Sequence, residues 1–217
     1  IMLIHRENFK RYRLKYRLLL ITAAVFLTPT IIFTFVLTDL YATAQIKDLA
    51  ASSQDLLERN AAQIEQNVLT CLSMAQSLEL NQTLSEETER FMDEGREISA
   101  IELLDFKQTE VTANERMVNN NPVVCQTRIF LNSDHIFEIV PMIYQKSRAE
   151  KLPWHAGHPE TASAWYFDYT DNLFSTESWH NETHTVSFVT PYRGFGDAQI
   201  GLLEVVSHMD LLFPLLY

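Results

Sequence analysis

The densest cluster of aromatic and acidic residues in this sequence is Trp165, Tyr166, Asp168 and Tyr169, with Tyr144 and Trp154 upstream and Arg193 downstream. Aromatic rings give a small solute apolar contact while a few polar groups orient it. A guanidinium can hold a carboxylate through two parallel hydrogen bonds. These residue types suit reversible binding of a small molecule, and Trp154, Trp165, Tyr166, Asp168, Tyr169 and Arg193 are the candidate ligand-binding set. Aromatic side chains serve core packing by the same physics, so both readings stand at this point.

Other chemistry has less to rest on. His155-x-x-His158 and His180-x-x-x-His184 have spacings compatible with metal ligation. The first pair flanks a loop glycine and the second lies where a loop passes into a strand, so neither shares one helical face, and no metal or other cofactor is expected. There is no phosphate-cradling Gly-rich loop, no nucleophile elbow and no zinc-protease helix in a chain with five glycines. No segment has the character of a kinase phosphoacceptor box or an ATP lid, so this chain alone is not expected to be an enzyme. Asn81-Gln-Thr83 and Asn181-Glu-Thr183 fit the glycosylation acceptor pattern, a triplet short enough to arise by chance.

The elements that must position the candidate residues begin with an uncharged run, Leu18 to Thr38, preceded by Arg6, Lys10, Arg11, Arg13, Lys15 and Arg17. A bilayer core of ~30 Å takes about 20 helical residues, so the run is long enough to span it once. Proline at position 29 is tolerated in a spanning helix. A cleaved signal peptide is the rival reading, but its apolar core is typically ~7–15 residues. Basic residues on the N-terminal side only predict a cytoplasmic tail, 1–17, a transmembrane helix, 18–38, and an extracellular region, 39–217.

Six of the 17 Lys and Arg but one of the 28 acids precede Leu18, so the chain from Leu18 onward is strongly acidic. Phosphate binding needs clustered cations, so nucleic acid is not an expected partner. Roughly 180 residues are enough for one domain with a real core. Two cysteines, Cys71 and Cys125, exclude a disulfide-dense scaffold and leave a single bridge open.

Between Leu40 and Leu80 there is no Gly or Pro, and Leu57, Ala61, Ile64, Val68, Cys71, Ala75 and Leu78 follow at steps of four and three. That spacing lines one face of a long helix, which either packs on its own domain or forms a dimer seam. Continued unbroken from the membrane, ~40 residues would reach roughly 60 Å. Thr83-x-x-Glu86 predicts the cap of a second helix running, with an irregularity near Gly95, to about Val118, so helices fill 39–118. Asn119-Asn-Asn-Pro122 stops it.

Val123, Cys125, Thr127, Ile129 and Leu131 then alternate with Gln126 and Arg128, the two-residue period of a half-buried strand. Ile136 to Val140 is expected to return as its hairpin partner. A mixed stretch, 141–163, should hold a short helix and a loop. Ala164 to Phe167 is a further strand, and Asp171 to Asn181 a polar loop. Thr185 to Pro191 and Gln199 to Ser207 form a last hairpin whose connecting glycines supply positive backbone angles. The predicted class is α+β: an antiparallel sheet over 123–208 with helices on one side.

The ordered set of features is similar to the N-terminal portion of YesM-type sensor histidine kinases of Gram-positive bacteria. It comprises the basic tail and single span containing Pro29, the long helix, Arg128-Ile-Phe-Leu131, Trp165-Tyr166, Thr185-Val-Ser-Phe-Val189, and Ile200-Gly-Leu-Leu-Glu-Val-Val206 followed by an apolar helix start. The resemblance implies an extracellular Cache domain, a PAS-like sheet flanked by a long N-terminal helix, acting as the input region of a two-component sensor that works as a homodimer. It implies that the parent continues into a membrane-proximal module, a second span, a HAMP linker and a cytoplasmic kinase. A chain that starts at Ile1 and stops at Tyr217 is then expected to be a fragment. The ligand would be a small molecule or a solute-binding protein. The amino-acid-binding pattern of such domains has an Arg three residues before Trp-Tyr, where this chain has Ala162, and an Asp near the place of Arg193, which argues against amino-acid sensing. The same ectodomain type also precedes transcription regulators and chemoreceptors, and a structural or adhesive anchored protein is a further alternative.

Overall fold

The computed structural model describes residues 2–93, 96–159, 161–171 and 184–214, with side chains from residue 15 onward. The chain divides into two compact units, Ile1–Arg59 and Asn60–Tyr217. The first is helical throughout its described residues and belongs to α1 (Met2–Glu79), with Pro29 inside. It contains one stretch long and apolar enough to cross a membrane, none of it buried in the protein. Phe26 and Phe35 are 70% and 75% exposed. Thr22, Thr30, Thr34 and Thr38 each donate their hydroxyl to the carbonyl four residues back at 2.7–2.8 Å. These four hydroxyls are thus satisfied within the helix itself.

In the second unit the end of α1 is followed by α2 (Gln82–Phe91), α3 (Ala100–Phe106), a π turn (Lys107–Val111) and α4 (Thr112–Asn119). The helix expected after residue 83 is therefore two stretches, α2 and a continuous α3–π–α4 run from Ala100 to Asn119, parted between residues 92 and 99 where the irregularity was expected; Gly95 itself lies outside the described residues. The cap of α2 is Asn81, whose side chain accepts from Leu84 N at 3.1 Å, rather than Thr83. Asn ranks above Thr as a cap and already stands where the chain leaves α1. A full capping box occurs at Ser99 and Glu102 instead. Asn121 ends the helical region, its Oδ1 accepting from Val123 N and Val124 N at 2.9 and 3.0 Å.

Among the described residues five strands follow: β1 (Gln126–Leu131), β2 (Ile143–Gln145), β3 (Ala164–Tyr169), β4 (Thr185–Arg193) and β5 (Gln199–His208). They form one sheet in the order β2-β1-β5-β4-β3. A short helix, α5 (Lys146–Ala149), and a 3₁₀ turn (His155–Gly157) lie in the crossing between β2 and β3, and α6 (Met209–Leu212) follows β5. The sheet is mixed, because β2 runs parallel to β1 while the other pairs are antiparallel. The expected return strand at 136–140 does not form. Only Ile139 makes an isolated bridge, to Ile143. Pro141 has no N–H for a ladder, and the chain turns there, with Met142 N and Ile143 N both donating to Ile139 O, so edge pairing waits until Ile143.

The β4–β5 hairpin forms as expected, but its left-handed residue is Asp197 (φ 61°), and no described glycine has positive φ. Asp tolerates that region better than most side chains. Glycine is required at another position: a Cβ on Gly201 would lie 2.2 Å from Phe130 O, so β5 approaches β1 closely only because position 201 is bare.

The two faces of the sheet are buried against different partners. The inner face, with Ile129, Leu131, Val186, Tyr192, Leu203 and Val205, shares one apolar core with Cys71, Ala75 and Leu78 of α1, Leu84 of α2, Phe106 of α3 and Leu212 of α6. The outer face, with Phe130, Tyr144, Val189 and Leu202, packs against Ala149, Leu152 and Trp154 of the crossing. A strand covered on both sides has no solvent face. Arg128, whose place in the alternation implied exposure, is 3% exposed. Cys71 and Cys125 are both free thiols.

Candidate functional site

The cross-strand register places the site. Arg128 of β1 lies opposite Glu204 of β5, and Phe130 opposite Leu202, all on the outer face. Arg128 Nη1 donates to Glu204 Oε2 at 3.1 Å, and Arg128 Nη2 pairs with Asp171. Gln126 Oε1, two residues along the same face, accepts from Arg128 Nε and Nη2 at 3.1 and 2.8 Å. The second oxygen of Glu204, Oε1, accepts from Trp154 Nε1 at 2.8 Å, Tyr169 Oη at 2.9 Å and Ser187 Oγ at 2.8 Å. A carboxylate with no exposed surface is thereby surrounded by donors, which is what its burial requires.

Burial by itself pulls the Arg128 pKa down, but Glu204, Asp171 and Tyr169 outweigh it and hold it above its ordinary value. Tyr169 is raised, first by burial and then by the charge of Glu204, so its phenol stays a neutral donor. One guanidinium faces two carboxylates, and Asp171 Oδ1 is buried with no hydrogen-bond partner among the described residues. The arrangement suits holding charge in a fixed geometry. Glu204 is too fully engaged to act as a general base.

Tyr169 reaches this cluster through a backbone irregularity. Strict alternation would put Tyr166 and Tyr169, three residues apart, on opposite faces. The β3–β4 register shifts between them, where Asp168 adopts φ 53°, and both hydroxyls come to the outer side.

Beside the cluster lies a cavity of about 580 Å³, within the range that holds small molecules. Phe130 and Leu202 contribute from the sheet, Lys146 and Ala149 from α5, His155, Ala156 and His158 from the 3₁₀ region, and Asn132 and Gln199 from the strand ends. Trp154 connects the cavity lining to the ion cluster. Its ring meets Phe130 edge-on at 6.0 Å, His158 edge-on at 5.6 Å and stacks on Tyr166 at 5.8 Å, while its Nε1 bonds Glu204. His158 Nδ1 and Tyr166 Oη are 2.8 Å apart. Burial, and then neighbouring His155, lower the His158 pKa, favouring neutral imidazole. Its Nε2 is buried without a hydrogen-bond partner among the described residues.

Of the six candidate residues, the structure brings Trp154, Tyr166 and Tyr169 together here. Trp165 points to the inner side against Phe188, ring centroids 5.1 Å apart. Asp168 pairs with His184 at the surface. Arg193 pairs with Asp197 across the hairpin turn at 3.0 Å, more than half exposed. Arg128, Glu204, Asp171, Ser187 and His158 were missed as site residues. One signal was present: Glu204 interrupts the apolar run Ile200–Val206, and a lone acid there demands a buried cationic partner. The loop beginning at Asp171, including His180, lies mostly outside the described residues. Among the described residues no group of three or more His, Cys, Asp or Glu is placed to hold a metal.

No protein-family model matches the chain, and comparison with curated proteins finds no match.

Proposed function

We propose that this chain is the membrane-anchored extracellular input region of a two-component sensor histidine kinase, with a Cache-type domain following a single span and the N-terminus in the cytoplasm. The observation that carries the reading is the cavity on the outer face of the sheet, wired through Trp154 to a buried ion cluster, in a chain whose N-terminal helix contains a fully exposed apolar stretch. Solvent-facing apolar surface of that extent is stable only in a bilayer or against a partner.

Ligand entry would act by population shift, favouring the cavity conformation it binds more tightly. The proposed route runs from Trp154 to Glu204 on β5, along β5 into α6, and from α6 to α1. Its last step is concrete: the buried amide of Asn67 donates to Leu211 O and Leu212 O at 2.9 and 3.2 Å. Homodimerisation through α1 would let such a displacement reach the other side of the membrane. The chain itself is proposed to bind rather than catalyse, with a small molecule or a solute-binding protein as the extracellular partner. The reading is tested by sequencing the gene beyond the Tyr217 codon. A second apolar span followed by a phosphoacceptor histidine and an ATP-binding module supports it. A stop codon or a DNA-binding domain overturns the kinase assignment.

A further inference from the structure

We infer that Asp168 and His184 form a proton-dependent clasp that positions Tyr169 on Glu204 and gives the outer-face site a second input, external acidity. As an input it rests on the sensor reading of that site; the clasp itself does not. Among the described residues three other than glycine adopt positive φ, and two of them touch: Asp168 (φ 53°) and His184 (φ 68°), through Oδ1 and Nδ1. Side chains enter that region at a local cost, which a fixed contact must offset. The contact sits at the β3–β4 register shift. Tyr166 is paired with Ser187 and Tyr169 with Thr185, so β3 holds one residue more than β4 between the two pairs. An extra residue of this kind re-aims the side chains beyond it. Here it turns Tyr169 to the outer face, where its hydroxyl donates to Glu204 Oε1 at 2.9 Å and lies 2.6 Å from Ser187 Oγ.

The clasp responds to protons because one partner is a histidine, the side chain whose charge changes between pH 5 and 8. Protonated, His184 faces the Asp168 carboxylate as an ion pair; neutral, it keeps at most a weaker hydrogen bond. Both side chains are about half exposed, so solvent limits the gain in closure to about two- to fivefold. Other titratable groups lie on the neighbouring elements. On β5, His208 is the Cα partner of Thr185, and in α6 Asp210 accepts from Leu211 N at 3.0 Å. On β3, burial keeps the Tyr169 phenol neutral. His180 and Glu182 precede His184 in the sequence, outside the described residues. The clasp also has an outlet. His184 O accepts from Met209 N at 2.9 Å where β5 passes into α6, and the carbonyls of Leu211 and Leu212 in turn hold Asn67 of α1. A proton on His184 thus acts at two points of the proposed route, on Glu204 through Tyr169 and on α6 through the backbone.

The test uses the full chain in lipid nanodiscs, labelled with 3-fluorotyrosine, the Tyr169 fluorine signal being assigned by Tyr169→Phe. Asn and Gly both accept positive φ, so substitutions to them keep the backbone and change only the contact. In the parent the Tyr169 signal should titrate between pH 5 and 8 with the midpoint of the His184 imidazole, followed by ¹³C-labelled histidine. Amide hydrogen exchange of β3, corrected for intrinsic rates, should be about two- to fivefold slower at the acid end. Asp168→Asn and His184→Asn should each abolish both responses, and Asp168→Gly should hold the Tyr169 signal at its high-pH position throughout. His208→Asn and Glu182→Gln should leave both responses in place. A Tyr169 signal that ignores pH would overturn the clasp. So would a titration that survives Asp168→Asn, or one that disappears with His208→Asn or Glu182→Gln. Each of these results leaves the sensor reading standing, whereas a stop codon after Tyr217 would remove the input role and leave the clasp measurable.

Discussion

The two faces of this sheet solve burial in opposite ways. On the inner face Ile129, Leu131, Val186, Leu203 and Val205 meet helices through apolar contact, and specificity there comes from shape. On the outer face the same strands place Gln126, Arg128, Ser187 and Glu204 among aromatic rings, in a network whose bonds have directions. An apolar layer tolerates volume-conserving exchange, whereas a buried charge loses its solvation on removal of a single partner. One position along a strand, from Ile129 to Arg128, a residue therefore changes from replaceable to indispensable, because the layer above it changes from helices to the crossing.

The largest effects should come from breaking the charged face. Arg128→Ala leaves Glu204 and Asp171 buried against each other, at a cost of about 3–5 kcal/mol, read as a fall in the urea midpoint of the sheet unit. Replacing all three charges together by apolar residues of similar volume should recover most of that loss, because the ionic arrangement specifies geometry more than it adds stability. If Arg128→Ala were neutral, the comparison between the faces would fail at its centre.

Next comes the apolar face. Leu203→Ala, fully buried in the inner core, should cost about 2–5 kcal/mol through lost transfer energy and the cavity left behind. It should leave the Tyr169 bond to Glu204 unchanged. A loss of that bond at undiminished stability would show that the faces are not independent.

Trp154→Phe tests the link between cluster and cavity. It keeps most of the ring area and removes the Nε1 donor to Glu204. A hydrogen bond to a charged group contributes about 1.5–3 kcal/mol, and that loss should appear in equilibrium urea unfolding. Trp154→Leu, which also loses the rings stacked on Tyr166, should cost more.

How far the sequence foretells this division depends on what each signal measures. Periodicity found the helical stripe on α1 from Val68 to Leu78, β3, and the β4–β5 hairpin, because those patterns are local. Residue type, not periodicity, placed Trp154, Tyr166 and Tyr169 in the set that converges on the outer face. Periodicity failed at Arg128, since a two-residue alternation distinguishes the faces of a strand without saying whether the polar one is covered. It failed again at 136–140, where apolar composition resembled a strand but Pro141 and the turn at Ile139 postpone pairing to Ile143. Trp165 and Tyr166, consecutive on a strand, must face opposite ways, but which of them faces the outer side was settled only by the register with Phe188 and Ser187. The cavity draws on residues scattered from Phe130 to Leu202, and no window of sequence contains it.

The smallest effects concern protons, and each face contributes its own. On the inner side burial raises Cys71 to about 11, and burial also raises Cys125, at the entry to β1, to about 12. An unfolded thiol loses its proton near 9, so above that pH the unfolded state is favoured and stability falls as pH rises. At pH 8 both thiols should resist iodoacetamide in the native chain and react in urea; rapid native labelling of Cys71 would contradict its burial. On the outer side the His158 pKa is lowered from 6.5. Between its folded value and 6.5 the unfolded state binds more protons, so stability falls as pH drops below about 6.5. The group is partly exposed, so solvent screening keeps the slope shallow. His158→Asn should flatten this acid limb of the unfolding profile. If the acid limb were unchanged in that variant, the assignment of its titration to His158, and with it the burial of this imidazole against Trp154, would be wrong.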